Sequence, residues 1–146
     1  MFKHLIAQIN TCYPMFISTV HYEISYQAAK NRLYISIKGF WRNKADVASY
    51  LPDLKKILQK TKPGFTLLTD LRAMKTSPPE MQEIHIAAQK ALVDAGLHCT
   101  AEVVASSFVQ FQASQYSKTS EMPLKQFESK AAAEAFLDTL KEPALA

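Results

Sequence analysis

Glycine and cysteine are scarce in this sequence, which has three glycines and two cysteines among 146 residues. Scarce glycine argues against a β-sandwich of short strands and tight turns, because such turns need residues that accept positive φ. The cysteines, Cys12 and Cys99, lie far apart and fit no paired spacing, and Cys99 begins an apolar segment. We therefore expect a buried free thiol, which is typical of a reducing compartment such as the cytoplasm.

Long apolar runs are also missing. No run approaches the ~20 residues that a membrane-spanning helix needs. The first ten residues, MFKHLIAQIN, carry an early positive charge but no small-residue cleavage site. We expect a soluble cytoplasmic protein and not an integral membrane protein.

Motifs for catalysis, cofactors and metals are absent from the sequence. No serine lies in a nucleophile elbow, and no glycine-rich loop is present that could hold a phosphate. The four histidines show no ligand spacing with cysteines or carboxylates; they are His4, His21, His85 and His98. The sequence therefore predicts no cofactor, no metal and a protein that is not an enzyme. A catalytic site would have to be assembled from scattered residues.

Positive charge is concentrated in one short segment, although the net charge is only +4. Four lysines lie on or just after one predicted helix, where they suit the negative end of the helix dipole. A nucleic-acid surface would interleave such charges with aromatic residues or a groove-entering motif, and neither is found here. We expect no nucleic-acid partner. The lysines are Lys55, Lys56, Lys60 and Lys62.

The pattern of apolar residues predicts an α/β fold in a single domain. Residues 20–26 and 32–40 alternate apolar and polar side chains, as half-buried strands do, and a turn near Asn31 joins them in a hairpin. Residues 65–71 and 100–105 are more continuously apolar, as expected for central strands. Helical patterns follow, and Pro78 and Pro79 open one of them. The predicted order is ββαβαβαβα, a mixed sheet of five strands over residues 20–141.

The ends of the chain fall outside this predicted domain. Residues 1–19 form a predicted accessory arm in which Phe2, Leu5, Ile6 and Ile9 recur at helical spacing, and residues 142–146 form a short tail. So much apolar surface should be buried. We expect the arm to pack on its own domain or across the interface of a homodimer.

Three segments resemble the STAS-type domain of anti-sigma-factor antagonists, in particular its SpoIIAA-like branch. They are RLYISIKGFWR at 32–42, FTLLTDLRAM at 65–74 and QFESKAAAEAFLDTL at 126–140, and the resemblance extends over about residues 20–140. It implies a non-catalytic domain that binds a regulatory protein partner or a small ligand, often apolar, lipid-like or a nucleotide. Some members are phosphorylated on a serine that begins the helix after the Asp-Leu strand. That position corresponds here to Pro78–Met81, so the nearest hydroxyls are Thr76 and Ser77.

We expect the binding site at the carboxyl ends of the parallel strands, because ligands of open α/β sheets bind there. An apolar wall, a cationic rim and a polar group that orients the ligand would suit an amphiphile with an acidic head or an acidic partner surface. Two alternatives stay open, an antagonist regulated by phosphorylation and an enzyme. The candidate residues are Trp41, Phe108 and Phe111 for the wall, Arg72 and Lys75 for the rim, and Asp70 and Ser107 beside them.

Overall fold

A computed structural model describes residues 15–140 as an α/β fold built on one mixed sheet. The general α/β prediction is confirmed, but the predicted number of five strands is wrong because the sheet has six, in the order β1-β2-β3-β4-β5-β6. The strands are β1 Phe16–Ser18, β2 Tyr22–Gln27, β3 Arg32–Ile37, β4 Thr66–Asp70, β5 Cys99–Val103 and β6 Leu124–Phe127. The helices are α1 Tyr50–Leu58, α2 Gln82–Asp94, α3 Ser107–Ser120 and α4 Lys130–Thr139.

The additional strand β1 comes from the end of the predicted arm. It pairs antiparallel with β2, and Ile17 faces Ile24. A three-residue strand offers too few positions for alternation to be recognised. The remainder of the arm, residues 1–14, lies outside the described residues, as do residues 141–146 and with them the predicted tail.

The sheet is antiparallel on one side and parallel on the other. Strands β1, β2 and β3 pair antiparallel, and Asn31, with φ of +47°, forms the predicted left-handed turn between β2 and β3. Strands β3 to β6 are parallel neighbours. The carboxyl ends of β3, β4, β5 and β6 therefore lie along one edge of the sheet.

Helices cover the two faces of the sheet unequally. The main core joins β2, β3 and β4 to α1, α2 and α3 through fully buried side chains such as Leu33, Leu54 and Met81. On the opposite face α4 alone packs on β4 and β5, where Leu68 and Leu137 belong to a smaller core. Among residues 15–140, no helix covers that face over β1 and β2.

One detail of the predicted hairpin is wrong. Val20 was expected on the buried face of a strand, but the strand begins at Tyr22 and Val20 is 82% exposed. After Trp41 the chain forms a 3-10 turn, Lys44–Val47, before α1 begins at Tyr50. Pro52 lies in the first turn of α1, where a missing N–H leaves no intrahelical bond unmade.

Within residues 15–140, no helix combines the length and the apolar character needed to cross a membrane.

Candidate functional site

The loops that follow β3 and β4 are joined beyond the ends of their strands. The amide of Gly39 donates a hydrogen bond of 2.9 Å to the carbonyl of Ala73, and the amide of Lys75 donates one of 3.0 Å to the carbonyl of Gly39. Gly39 and Met74 form an isolated parallel bridge. The carboxyl edge is therefore an ordered surface built on backbone hydrogen bonds.

The loop after β4 is also fastened to α3. The side-chain amide of Gln112 accepts a hydrogen bond of 3.0 Å from the amide of Ser77 and donates one of 2.8 Å to the carbonyl of Ser77. The hydroxyl of Ser106 caps α3 by accepting from the amide of Val109. These contacts fix the start of α3 beside the loop that carries Lys75.

Asp70 and Arg72 form an ion pair with each other at the end of β4. One carboxylate oxygen of Asp70 accepts from the amide and the Nε of Arg72, and the other accepts from its Nη2 at 2.8 Å. The guanidinium of Arg72 lowers the pKa of Asp70. Asp70 shares the face of the sheet covered by α4, where it lines a groove with Lys130. The pair mainly orders its own turn.

Trp41 does not contribute to the expected apolar wall, because its side chain is 1% exposed and lies in the core. The indole donates a hydrogen bond of 3.1 Å to the carbonyl of His21 and stacks on the ring of His85 at 5.0 Å between centroids. The tryptophan therefore holds the core beneath the loop after β3, and the wall expected from Trp41, Phe108 and Phe111 is not formed.

Phe108 and Phe111 are instead exposed on the first turns of α3, with relative accessibilities of 75% and 66%. The buried side of this helix consists instead of Val109, Ala113, Tyr116, Ser117 and Ser120. Lys75 is exposed on the adjoining loop. We call Phe108, Phe111 and Lys75 the α3 edge.

The two hydroxyls considered for phosphorylation lie in different environments. Thr76 is exposed, whereas Ser77 is 6% exposed and its hydroxyl lies 3.4 Å from Nε2 of His85. A kinase would reach Thr76 on the folded surface, but it would reach Ser77 only after the loop had separated from α3.

A polar cluster inside the main core was missed by the sequence analysis. It surrounds a cavity of about 40 Å³ between the sheet and the helices. Glu102 of β5 is 2% exposed there, and burial raises its pKa to about 7. The lone acid within the apolar segment TAEVVA was the one signal of a buried carboxyl group. The polar lining consists of Tyr50, Thr69, His85, Gln89, Glu102 and Tyr116.

The ring of His85 is held between two aromatic rings in this cluster. Trp41 stacks on it at 5.0 Å and Tyr116 at 5.1 Å, and burial lowers the pKa of His85 to about 4, so its imidazole is neutral near pH 7. Ser77 could be a nucleophile and His85 a base. Among residues 15–140, however, no carboxylate forms a hydrogen bond with His85, so the orienting group of a triad is not in place.

The open groove on the other face of the sheet has a volume of about 540 Å³. Its charged groups are largely paired with protein side chains. Glu134 accepts hydrogen bonds from Arg32 and from the hydroxyl of Tyr34, and burial together with that contact raises the pKa of Tyr34 to about 12. The part of the chain that the structure describes contains no group of three His, Cys, Asp or Glu side chains able to hold a metal ion.

Comparisons of the chain with protein-family models, with curated proteins and with solved structures found no significant match. The structural class of the protein rests on the fold alone. It is an α/β protein with a six-stranded mixed sheet and an exposed aromatic pair at the carboxyl edge.

Proposed function

We propose that this protein is a non-catalytic, STAS-like binding module and that another protein docks on its α3 edge. The observation that carries the proposal is the exposure of Phe108 and Phe111 on one helix at the carboxyl ends of the parallel strands. Large aromatic side chains that protrude from a rigid element are typical anchors of protein interfaces.

The energetic argument rests on what docking would bury. Removing a phenylalanine side chain from water contributes roughly 1.5–3 kcal/mol. The N-cap at Ser106 and the hydrogen bonds between Gln112 and Ser77 hold this part of the surface in place before binding. Preorganisation of this kind reduces the entropy that association costs.

A protein partner fits the dimensions of the molecule better than the small amphiphile that the sequence also suggested. Ligand pockets for small molecules usually measure about 300–1,000 Å³ and enclose most of the ligand. The interior cavity next to His85 measures about 40 Å³. The groove of about 540 Å³ is open and its charges are largely paired, and a groove of about 590 Å³ beside Ser107 is open as well. A broad exposed surface is better suited to a protein.

The charge beside the aromatic pair favours an acidic partner. Lys75 is exposed, and Arg72, although it is paired with Asp70, keeps 46% of its side chain exposed. Cations at the rim of an interface steer an acidic partner and are screened by salt. Binding should therefore weaken as the salt concentration rises.

Thr76 supports a second candidate function, that of an antagonist regulated by phosphorylation. Its hydroxyl is exposed one residue from Lys75, inside the proposed surface. A phosphate would add a charge of about −2 and would repel an acidic partner. A candidate kinase that modifies neither Thr76 nor Ser77, as read by mass spectrometry, would count against this function.

Capture from a lysate of the source cells tests the proposal. The immobilised wild-type protein is compared with the double variant Phe108→Ser/Phe111→Ser and with Phe16→Ser. Phe16 is a matched control because it is 62% exposed on β1, at the far edge of the sheet. We expect a protein that the wild type and the control retain and the double variant loses. Identical sets of captured proteins on all three would contradict the proposal.

A further inference from the structure

Several polar side chains around the interior cavity have hydrogen-bonding groups without a protein partner among residues 15–140. The carboxyl of Glu102 has one partner, the Nε2 of Gln126 at 3.2 Å. Gln89 accepts a hydrogen bond of 2.6 Å from the hydroxyl of Ser120, but its own Nε2 donates to no described residue. The hydroxyls of Tyr50 and Tyr116 likewise have no described partner.

In a dry interior, the absence of hydrogen-bond partners for these groups would cost much of the protein's stability. An unpaired buried hydroxyl or amide costs on the order of 1–3 kcal/mol, and a carboxyl group costs more. Glu102, Tyr116 and Tyr50 are 2%, 6% and 3% exposed, so little of their surface reaches bulk solvent. All three line the same cavity. A shared ligand in the cavity would satisfy them together.

We propose that this cavity is a binding site for two or three water molecules that hydrogen-bond Glu102, Gln89, Tyr50 and Tyr116. The site goes beyond the proposed function and does not rest on it. A water molecule needs about 10–15 Å³ of such volume and two to four polar partners. The cavity offers about 40 Å³ and six polar lining residues.

The alternative is a dry cavity, because its other lining side chains are apolar, among them Leu67, Leu92 and Met122. Dry cavities are lined by apolar groups alone and bind xenon or benzene. Here Glu102 enters from the sheet, while Gln89 and Tyr116 enter from two different helices. Polar groups from three different elements line one cavity, which favours bound water over an empty cavity.

Nuclear magnetic resonance on the full chain tests the site in two arms. In the first arm we expect cross-peaks from long-lived water to the methyl groups of Ala88 and Ala113, which line the cavity. In the second arm xenon gas is added, and we expect no xenon-induced shifts at these methyls. Absence of the water cross-peaks overturns the proposal, with or without xenon shifts.

A variant that fills the cavity adds a control. Ala113→Leu should remove the water cross-peaks at Ala88, whereas Ala131→Leu, on the exposed side of α4, should leave them unchanged. Cross-peaks that persist unchanged in folded Ala113→Leu would overturn the proposal. If that variant does not fold, the wild-type measurements decide alone.

Discussion

The side chain of Gln112 holds the main chain of Ser77 through two hydrogen bonds, one accepted from its amide and one donated to its carbonyl. This pair of contacts links the loop after β4 to the first turns of α3, from which Phe108 and Phe111 project. An amide side chain that bonds both groups of one residue replaces the partners that a strand would have supplied. The α3 edge depends on this link for its shape.

The first prediction concerns that link. Gln112→Ala should lower the free energy of unfolding by about 1–3 kcal/mol, because the backbone amide and carbonyl of the buried Ser77 lose their partners. Hydrogen exchange at the amide of Ser77 should become faster. Gln115→Ala is the matched control, since Gln115 is exposed on the same helix and should change neither quantity. Equal exchange rates in both variants would show that the link does not hold the loop.

The second prediction concerns the pH dependence of stability, to which two buried groups with opposite pKa shifts contribute. The pKa of Glu102 is raised from 4.5 to about 7, so its contribution to stability is complete below pH 4.5 and is lost as the pH rises through 7. The pKa of His85 is lowered from 6.5 to about 4, so its contribution is complete above pH 6.5 and is lost as the pH falls through 4. Between pH 4.5 and 6.5, the contribution of Glu102 to stability falls as the pH rises, whereas that of His85 increases.

Glu102→Gln should separate these contributions. Relative to the wild type, the variant should gain stability as the pH rises from 4.5 to 7, by an amount on the order of 3 kcal/mol. The measurement is denaturant unfolding across this range. Asp70 and Glu134, whose lowered pKa values also contribute, are common to both proteins and cancel in the difference. A difference that does not change with pH would show that Glu102 titrates normally.

The third prediction compares two glycines that both have positive φ. At Gly96, with φ of +100°, a Cβ would lie 2.9 Å from the Cα of Pro63, whereas at Gly39, with φ of +72°, it would meet nothing within 4 Å. Gly39→Ala should cost about 1 kcal/mol from backbone strain alone. Gly96→Ala should cost about 3 kcal/mol, because the clash is added. Equal losses in thermal or denaturant unfolding would contradict this account of the Pro63 contact.

Much of the fold could be predicted from local patterns in the sequence. The alternation around Ile24 and Ile35 marked the hairpin, and Pro78 and Pro79 marked the start of the helical segment that leads into α2. Strand β1 could not be predicted because three residues set no period. Its pairing with β2 is a tertiary property.

The candidate site was harder to predict, because apolar character does not show on which side of a helix a residue lies. Phe108 and Phe111 were predicted to be site residues and are exposed, but Trp41 was predicted beside them and is buried next to His85 instead. The interior cluster was missed because its polar members come from separate segments of the chain. Only Glu102 could have been noticed from its apolar neighbours alone.

Site-specific photo-crosslinking in living cells tests the central claim most directly. A photoreactive phenylalanine analogue is placed at position 108, at position 111 and, as the control, at position 16 on β1. The account predicts one crosslinked protein product shared by positions 108 and 111 and absent from position 16. It also predicts loss of the product from position 108 when Lys75→Glu is introduced, because the rim charge is reversed. Crosslinking that is equal at all three positions, or absent at 108 and 111, would contradict the account.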